Sequence, residues 1–131
     1  MQDLINRLIP KIYALNVVKY VSERFNVPES EIAILYSPKV LGRTLDLVLI
    51  CNGKWFIVFF KLKPNLPHDV NYALDIVEEV KSALNPEEAI PILAYIGVKP
   101  SISLEATRIS EKLAILSLAG ESYEIIHEFR I

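Results

Sequence analysis

The distribution of apolar and polar residues along the chain predicts alternating helices and strands. The clearest signal lies in residues 42–63, where two apolar runs flank the dipeptide Asn52-Gly53. Asn-Gly between two such runs is typical of a two-residue hairpin, because a type I′ turn needs positive φ at both central positions. We therefore expect one strand over residues 44–51 and a second over residues 54–61.

The turn also predicts the register of this hairpin. With the two loop residues fixed, Asp46 is expected opposite Phe59, and Thr44 opposite Lys61. Because side chains alternate between the two faces of a sheet, Asp46, Phe59 and Lys61 are expected to project from the same side. Charged groups among apolar residues are costly to bury unpaired. Asp46 and Lys61 are therefore expected either to be catalytic residues or to form an ion pair.

The first helix is predicted over residues 11–25, with Ile12, Leu15, Val18 and Phe25 roughly on its apolar face. Pro10 suits the first turn of this helix, since a proline there lacks only an N–H that would have no intrahelical partner. Residues 4–9 are then expected to form a short separate turn.

The rest of the chain continues the alternation. Residues 69–84 predict an amphipathic helix with Val70 and Val77 in its buried stripe, ending before Asn85-Pro86. The remaining predicted elements are a helix over 103–112 and strands over 31–36, 90–96, 113–118 and 123–131. Apolar strands interspersed with helices favour a three-layer α/β sandwich, in which helices cover both faces of a mixed sheet. The 131 residues suit one domain, residues 1–131.

Composition narrows the class of protein. The chain is 52% apolar, but its longest apolar run, residues 55–60, is far shorter than the ~20 residues that span a bilayer. The first residues also lack the basic segment of a signal peptide, so we expect a soluble, cytoplasmic protein. The excess of apolar residues is expected to form an interface, either in a homodimer or with another protein. The eight prolines and four glycines are compatible with a thermophilic source.

Charge and cysteine content exclude some functions. The net charge of −2 excludes a strongly basic nucleic-acid footprint, so any nucleic-acid binding needs a local patch. The single cysteine, Cys51, excludes an internal disulfide and a cysteine-based zinc site, and it is expected in the core. His68 and His127 have no sequence partner for catalysis, which favours surface or packing roles.

The segment Gly42-Arg43-x-x-Asp46, the tight hairpin and the ending Phe59-Phe60-Lys61 resemble the PD-(D/E)XK, or restriction-endonuclease-like, nuclease superfamily. The resemblance covers residues 11–118 and is to small archaeal members, including those of the Holliday-junction-resolvase type. In that family an aspartate on the first hairpin strand and a glutamate on the second bind magnesium. A lysine two residues after the glutamate assists the attacking water, and a glutamate on a preceding helix often joins them.

By this resemblance, the aspartate falls on Asp46, the lysine on Lys61 and the helix acid on Glu23. These three are the candidate catalytic residues, expected to be what remains of such a site. Asp46 is also the candidate metal ligand. The family's glutamate falls on Phe59, which offers neither an oxygen ligand nor a charge. Magnesium is usually held by one or two carboxylates with phosphate and water oxygens, so Asp46 alone makes a weak site.

An acid displaced onto the following helix could replace the missing glutamate. Helical geometry predicts that Asp75 faces solvent, about 160° from the buried stripe, whereas Asp69 and Glu78 lie closer to its borders. Such a displaced acid would restore an active site. Without one, Asp46 is equally well explained by an ion pair with Lys61 or another basic neighbour.

Three functions remain open. The first is a degenerate nuclease-like protein without a cofactor, which serves as a binding or assembly module, with nucleic acid as a possible partner. The second is an active magnesium-dependent DNA endonuclease or resolvase with a displaced acid. The third is a protein-interaction domain with no nucleic-acid role. The candidate phosphate contacts are the basic residues Lys39, Arg43, Lys61 and Lys63.

Overall fold

The computed structural model describes residues 2–101 and 112–128. Two long helices are present in this part of the chain, α1 (Gln2–Phe25) and α2 (Leu66–Leu84), together with a short 3₁₀ helix at Glu29–Glu31. The strands are β1 (Ala33–Tyr36), β2 (Lys39–Val40), β3 (Arg43–Thr44), β4 (Leu47–Cys51), β5 (Lys54–Lys61), β6 (Glu88–Ile96), β7 (Ala114–Ala119) and β8 (Ser122–His127).

Six strands form one mixed sheet in the order β1-β4-β5-β6-β7-β8. β5, β6 and β7 are parallel, and the outer pairs β1–β4, β4–β5 and β7–β8 are antiparallel. The chain passes from β5 to β6 through α2, the usual connection between parallel neighbours. The predicted edge strand is confirmed, since β1 lies at one end of the sheet. The short strands β2 and β3 pair separately, beside the hairpin.

Each helix covers one face of the sheet. α1 packs over Leu47, Leu49 and Phe56, whereas α2 packs over the alternate residues Val48 and Ile57. Successive residues of the central strands therefore enter different cores, which explains why β4 and β5 read as continuous apolar runs. The predicted three-layer α/β sandwich is confirmed. In the part of the chain that the structure describes, no helix is long and apolar enough to cross a bilayer.

The hairpin forms as the Asn52-Gly53 signal predicts. Asn52 and Gly53 both have positive φ, 51° and 75°, and the ladder begins with Cys51 opposite Lys54. The predicted pairs hold as far as Val48 opposite Ile57, and the ladder ends one pair later. Cys51 is buried, as expected.

The N-terminal helix differs from the prediction in two ways. It is continuous from Gln2, so Pro10 lies in its interior and residues 4–9 are not a separate turn. Its predicted apolar face is confirmed only in part, since Val18 is buried and Phe25 packs on the core, whereas Ile12 and Leu15 are exposed. Packing on the sheet stabilises the helix against the cost of an interior proline, about 3 kcal/mol.

Other boundaries shift by a few residues. α2 begins at Leu66, with Pro67 in its first turn, and ends at Leu84; the capping residue Asn85 has the left-handed conformation. β6 begins at Glu88, so Pro91 is its fourth residue. This proline is tolerated because pairing with β7 starts only at the next residue. Of the predicted helix over 103–112, residues 103–111 lie outside the described residues.

Candidate functional site

Asp46 lies where the hairpin ladder stops. The last β4–β5 pair is Leu47 opposite Val58, so the predicted pairs of Asp46 with Phe59 and of Thr44 with Lys61 do not form. Instead, residues 43–44 turn away to pair with β2. Asp46 remains beside β5 because its carboxylate Oδ2 accepts a hydrogen bond of 2.9 Å from the backbone N–H of Phe60.

The carboxylate of Asp46 is only partly solvated. Burial raises the pKa of this carboxyl above its ordinary value, while the hydrogen bond from the Phe60 N–H and the positive charge of Lys61 oppose the rise. The two supporting groups therefore do not compensate fully for the loss of water. This carboxylate accepts protons more readily than an exposed aspartate does.

Phe59 is a core residue. Its side chain is 5% exposed, and its ring meets the edge of the Tyr72 ring with centroids 6.0 Å apart. It stands next to Leu93 of β6 and contributes to the core under α2. The predicted packing role of Phe59 is confirmed, and an apolar ring occupies this position of β5.

Lys61, the last residue of β5, faces α2. Its Nζ lies 3.8 Å from Oδ1 of Asp69 and 5.5 Å from the centre of the Tyr72 ring. Its positive charge also acts on Asp46, as the pKa of that carboxyl indicates. The charge of Lys61 therefore acts on two carboxylates, those of Asp69 and Asp46.

Asp69 is held by three groups. Its side chain is 4% exposed, and its Oδ2 accepts hydrogen bonds of 2.8 Å from the Tyr95 hydroxyl and 3.1 Å from the Asn65 N–H. Burial and the bond to Asp69 raise the pKa of Tyr95 far above its ordinary value, so this hydroxyl remains a donor. With Lys61 on Oδ1, both oxygens of the carboxylate have partners inside the protein.

The other acids predicted for the site lie elsewhere. Glu23 is exposed near the end of α1, where it accepts a 2.8 Å hydrogen bond from the Tyr123 hydroxyl of β8. It is about 20 Å along the helix from Pro10, the α1 residue beside Asp46. Asp75 and Glu78 are exposed on α2. Of the acids considered on α2, only Asp69 reaches Lys61.

Two adjoining clefts meet at Asp46. The first, about 240 Å³, lies between α1, α2 and the end of β5, and is lined by Pro10, Phe59, Lys61 and Tyr72 among others. The second, about 590 Å³, lies between α1 and the edge of the sheet. It is lined by Asn6, Arg7, Lys11, Tyr36, Ser37, Thr44, Leu45 and Asp46.

Sequence reasoning missed the contribution of α1 to these clefts. Arg7 and Lys11 lie one turn apart on the helix, so they share a side of it and both line the larger cleft. The helical spacing of residues 4–12 could have revealed this contribution. It was missed because Pro10 led us to predict the helix only from residue 11.

The four predicted phosphate-binding residues differ in whether an acidic side chain already lies close to them. Arg43 forms an ion pair of 3.0 Å with Glu79 of α2, and Lys61 is close to Asp69. Lys39 on β2 and Lys63 after β5 are exposed.

His68 is exposed and stacks on Tyr72, with ring centroids 6.4 Å apart.

The fold is that of the restriction-endonuclease-like proteins. No protein-family model matches the chain, and no curated protein matches it significantly. Among solved structures, a repair endonuclease from Pyrococcus abyssi is similar over 79% of this chain, with 18% sequence identity and a TM-score of 0.53. A complex of EndoMS with double-stranded DNA is similar over 79% of this chain, with 19% identity and a TM-score of 0.51.

These two structures extend well beyond the shared region. The similarity covers 45% of the Pyrococcus abyssi protein and 43% of EndoMS, so this chain corresponds to less than half of each. At such identities the comparisons support a common nuclease-like fold. They carry no statement about the site of this chain.

Proposed function

We propose that this chain is a nuclease-fold domain that no longer hydrolyses phosphodiesters and that binds nucleic acid, or assembles on it, through the clefts at Asp46. The observation that carries the proposal is the buried ring of Phe59 beside the single, partly buried carboxylate of Asp46. The similarity in fold to DNA-repair endonucleases supports the link to nucleic acid.

The donor set does not fit a catalytic magnesium ion. Magnesium needs near-octahedral oxygen ligation, usually with one or two carboxylates that are available to it. One oxygen of Asp46 already accepts the Phe60 N–H, and both oxygens of Asp69 have partners. Within the described ranges 2–101 and 112–128, no three His, Cys, Asp or Glu side chains form a group able to hold a metal.

Lys61 is also poorly placed for the catalytic role that the resemblance implies. A lysine that assists an attacking water must direct its ammonium group at that water, and here the ammonium lies between Asp69 and the Tyr72 ring. The lysine therefore has a structural explanation: it neutralises Asp69 and lowers the cost of the partly buried Asp46.

Nucleic acid is expected to contact the larger cleft. Arg7 and Lys11 supply positive charge there, and Tyr36, which is 44% exposed, offers an aromatic face on which a base can stack. The exposed Lys39 and Lys63 are further candidate phosphate contacts, whereas Arg43 is partly neutralised by Glu79.

Binding is tested by fluorescence anisotropy with labelled single-stranded, duplex and branched DNA at low salt. We expect the double variant Arg7→Ala/Lys11→Ala to weaken binding and to reduce the slope of log K against log salt by roughly 1–2. The matched control is Lys99→Ala, because Lys99 pairs with Glu124 on β8 at the opposite edge of the sheet. Equal effects of the two variants, or no binding at low salt, would remove this cleft from the proposal.

Loss of hydrolysis is tested on the same DNA substrates with magnesium or manganese. We expect no cleavage by the wild-type chain above that of Asp46→Ala. One observation favours the alternative of an active nuclease, namely that Asp69 lies on the helix after β5 and within 3.8 Å of Lys61. Cleavage abolished by both Asp46→Ala and Asp69→Asn would support that alternative, whereas a chain that neither binds nor cleaves nucleic acid would favour a protein-interaction domain.

A further inference from the structure

The larger cleft combines three chemical features. Its α1 wall carries the positive charges of Arg7 and Lys11, and its sheet wall carries the ring of Tyr36 and the carboxylate of Asp46. Tyr36 is 44% exposed, so its ring is accessible to a ligand. A ligand that uses all three features therefore needs an anionic group, a flat face and a hydrogen-bond donor.

The backbone holds Tyr36 and Asp46 close together. Tyr36 pairs with Leu47 at the end of the β1–β4 ladder, and the N–H of Ser37 donates to the backbone carbonyl of Asp46 at 3.0 Å. The two side chains therefore come from neighbouring positions on adjacent strands, and both line the cleft. A single ligand of moderate size is able to contact both.

One oxygen of Asp46 is left for a ligand. Oδ2 accepts the Phe60 N–H at 2.9 Å, whereas Oδ1 accepts no hydrogen bond from the part of the chain that the structure describes. A carboxylate repels phosphate, so Asp46 does not itself serve as a phosphate contact. It does accept hydrogen bonds from N–H groups, as aspartate and glutamate do from the amino group of cytosine.

We infer that the larger cleft binds one unpaired nucleotide of a nucleic-acid strand, whose base stacks on Tyr36 and donates its amino group to Asp46. A nucleotide supplies all three groups: a phosphate for Arg7 and Lys11, a flat base and an amino donor. The cleft volume of about 590 Å³ lies within the roughly 300–1,000 Å³ of small-ligand sites. A base inside a duplex does not fit, because its faces are already stacked on its neighbours. The inference rests on the proposed nucleic-acid binding and adds the kind of nucleotide.

The carboxylate of Asp46 predicts a preference between the two pyrimidines. Cytosine presents an amino donor where thymine presents a carbonyl oxygen, while the ring that stacks has the same size in both. The N3–H of thymine lies between two carbonyl oxygens, and the carboxylate repels both. We therefore expect the wild type to bind cytosine more tightly than thymine by roughly 5–10-fold, the low end of what a base contact provides.

The variant Asp46→Asn is expected to remove or reverse this preference. The Phe60 N–H needs an acceptor, so the amide oxygen of the substituted side chain takes that bond and its NH₂ group is left for the ligand. A donor at this position suits the carbonyl oxygen of thymine and not the amino group of cytosine. If Asp46 acted through its charge alone, the substitution would change both affinities by the same factor.

The test is fluorescence anisotropy with labelled oligodeoxycytidine and oligothymidine of about six nucleotides at low salt. Tyr36→Ala should weaken the binding of both at least roughly 5-fold, whereas Tyr36→Phe keeps the ring and should bind as the wild type does. The matched control for Asp46→Asn is Asp75→Asn, which removes the same charge from an exposed position on α2. This control should keep the preference for cytosine.

The outcomes separate this inference from the proposed function. Equal affinity of the wild type for the two oligonucleotides, or a cytosine preference that persists in Asp46→Asn, overturns the inference and leaves nucleic-acid binding in place. A wild type that binds neither oligonucleotide overturns both.

A competition experiment distinguishes a strand from a free nucleotide. Unlabelled oligodeoxycytidine should displace the labelled strand at a concentration at least ~10-fold lower than deoxycytidine monophosphate, because neighbouring nucleotides add phosphate contacts. Displacement by the monophosphate at the same concentration would assign the cleft to a free nucleotide and overturn the inference of a strand.

Discussion

Two tyrosine hydroxyls in this protein donate hydrogen bonds of the same length to carboxylates in very different surroundings. Tyr95 donates to Asp69 at 2.8 Å inside the core under α2, and Tyr123 donates to Glu23 at 2.8 Å on the surface. Replacing each tyrosine by phenylalanine removes one oxygen and leaves the ring in place. The pair of variants therefore separates the effect of burial from the effect of the hydrogen bond itself.

The expected magnitudes follow from the solvent available to each carboxylate. Asp69 is 4% exposed, so Tyr95→Phe leaves one of its oxygens short of a donor that water cannot easily replace. A hydrogen bond to a buried charged group contributes about 1.5–3 kcal/mol, and we expect Tyr95→Phe to lower the free energy of unfolding by that amount. Glu23 is exposed and regains water, so we expect Tyr123→Phe to cost less than about 1 kcal/mol.

Urea unfolding at pH 7, followed by circular dichroism, measures both values, with equal m-values as the check that only stability has changed. We expect Tyr95→Phe to lower Tm by roughly 6–12 °C and Tyr123→Phe by at most a few degrees. Equal losses for the two variants, or a loss below about 0.5 kcal/mol for Tyr95→Phe, would refute the reasoning. Asp69 would then exchange protein donors for water readily, and the hypothesis that it serves as a displaced catalytic acid would gain support.

Further predictions concern Asp46, Phe59 and Asn16. Because burial raises the folded-state pKa of Asp46, ionising this group costs stability as pH rises from its unfolded value, about 3.9, through the folded value. Asp46→Asn should therefore be more stable than the wild type at pH 7, and this gain should vanish below about pH 4 in urea unfolding. Phe59→Glu should lose about 3–5 kcal/mol, since it removes a ring that is 5% exposed and buries a charge, while Phe59→Leu should lose clearly less in the same assay. Asn16→Ala should lose about 1–3 kcal/mol, because the Asn16 amide donates to the carbonyls of Gly120 and Ser122 at 3.1 and 2.9 Å, and hydrogen exchange should increase in the β7–β8 turn.

The hairpin and α2 were predictable because their signals are local. Asn52-Gly53 allows few backbone conformations, which set the register from Cys51 to Val48. The polar and apolar residues of α2 alternate with helical spacing, so its buried stripe followed from sequence. The buried face of α1 was predicted only in part, because apolar residues lie on both sides of the helix and only the position of the sheet decides which side is buried.

The site was predictable only in part. Asp46 and Lys61 were singled out because charges are unusual within apolar strands, and they line the same cleft; Phe59 was assigned correctly to the core. The contact between Asp69 and Tyr95 joins residues 26 positions apart on different elements, and no local pattern indicates it. The departure of residues 43–44 toward β2 was missed for a similar reason, since two strands of two residues each leave almost no periodic signal.

The proposed loss of hydrolysis is tested most directly by manganese binding to the purified chain, measured by isothermal titration calorimetry without DNA. Manganese shares the oxygen preference of magnesium and commonly substitutes for it. We predict no saturable binding by the wild type, and therefore no difference between the wild type and Asp46→Ala. Saturable binding at one site per chain that Asp46→Ala abolishes would contradict the proposal, because the carboxylate beside Phe59 would then still hold a catalytic ion.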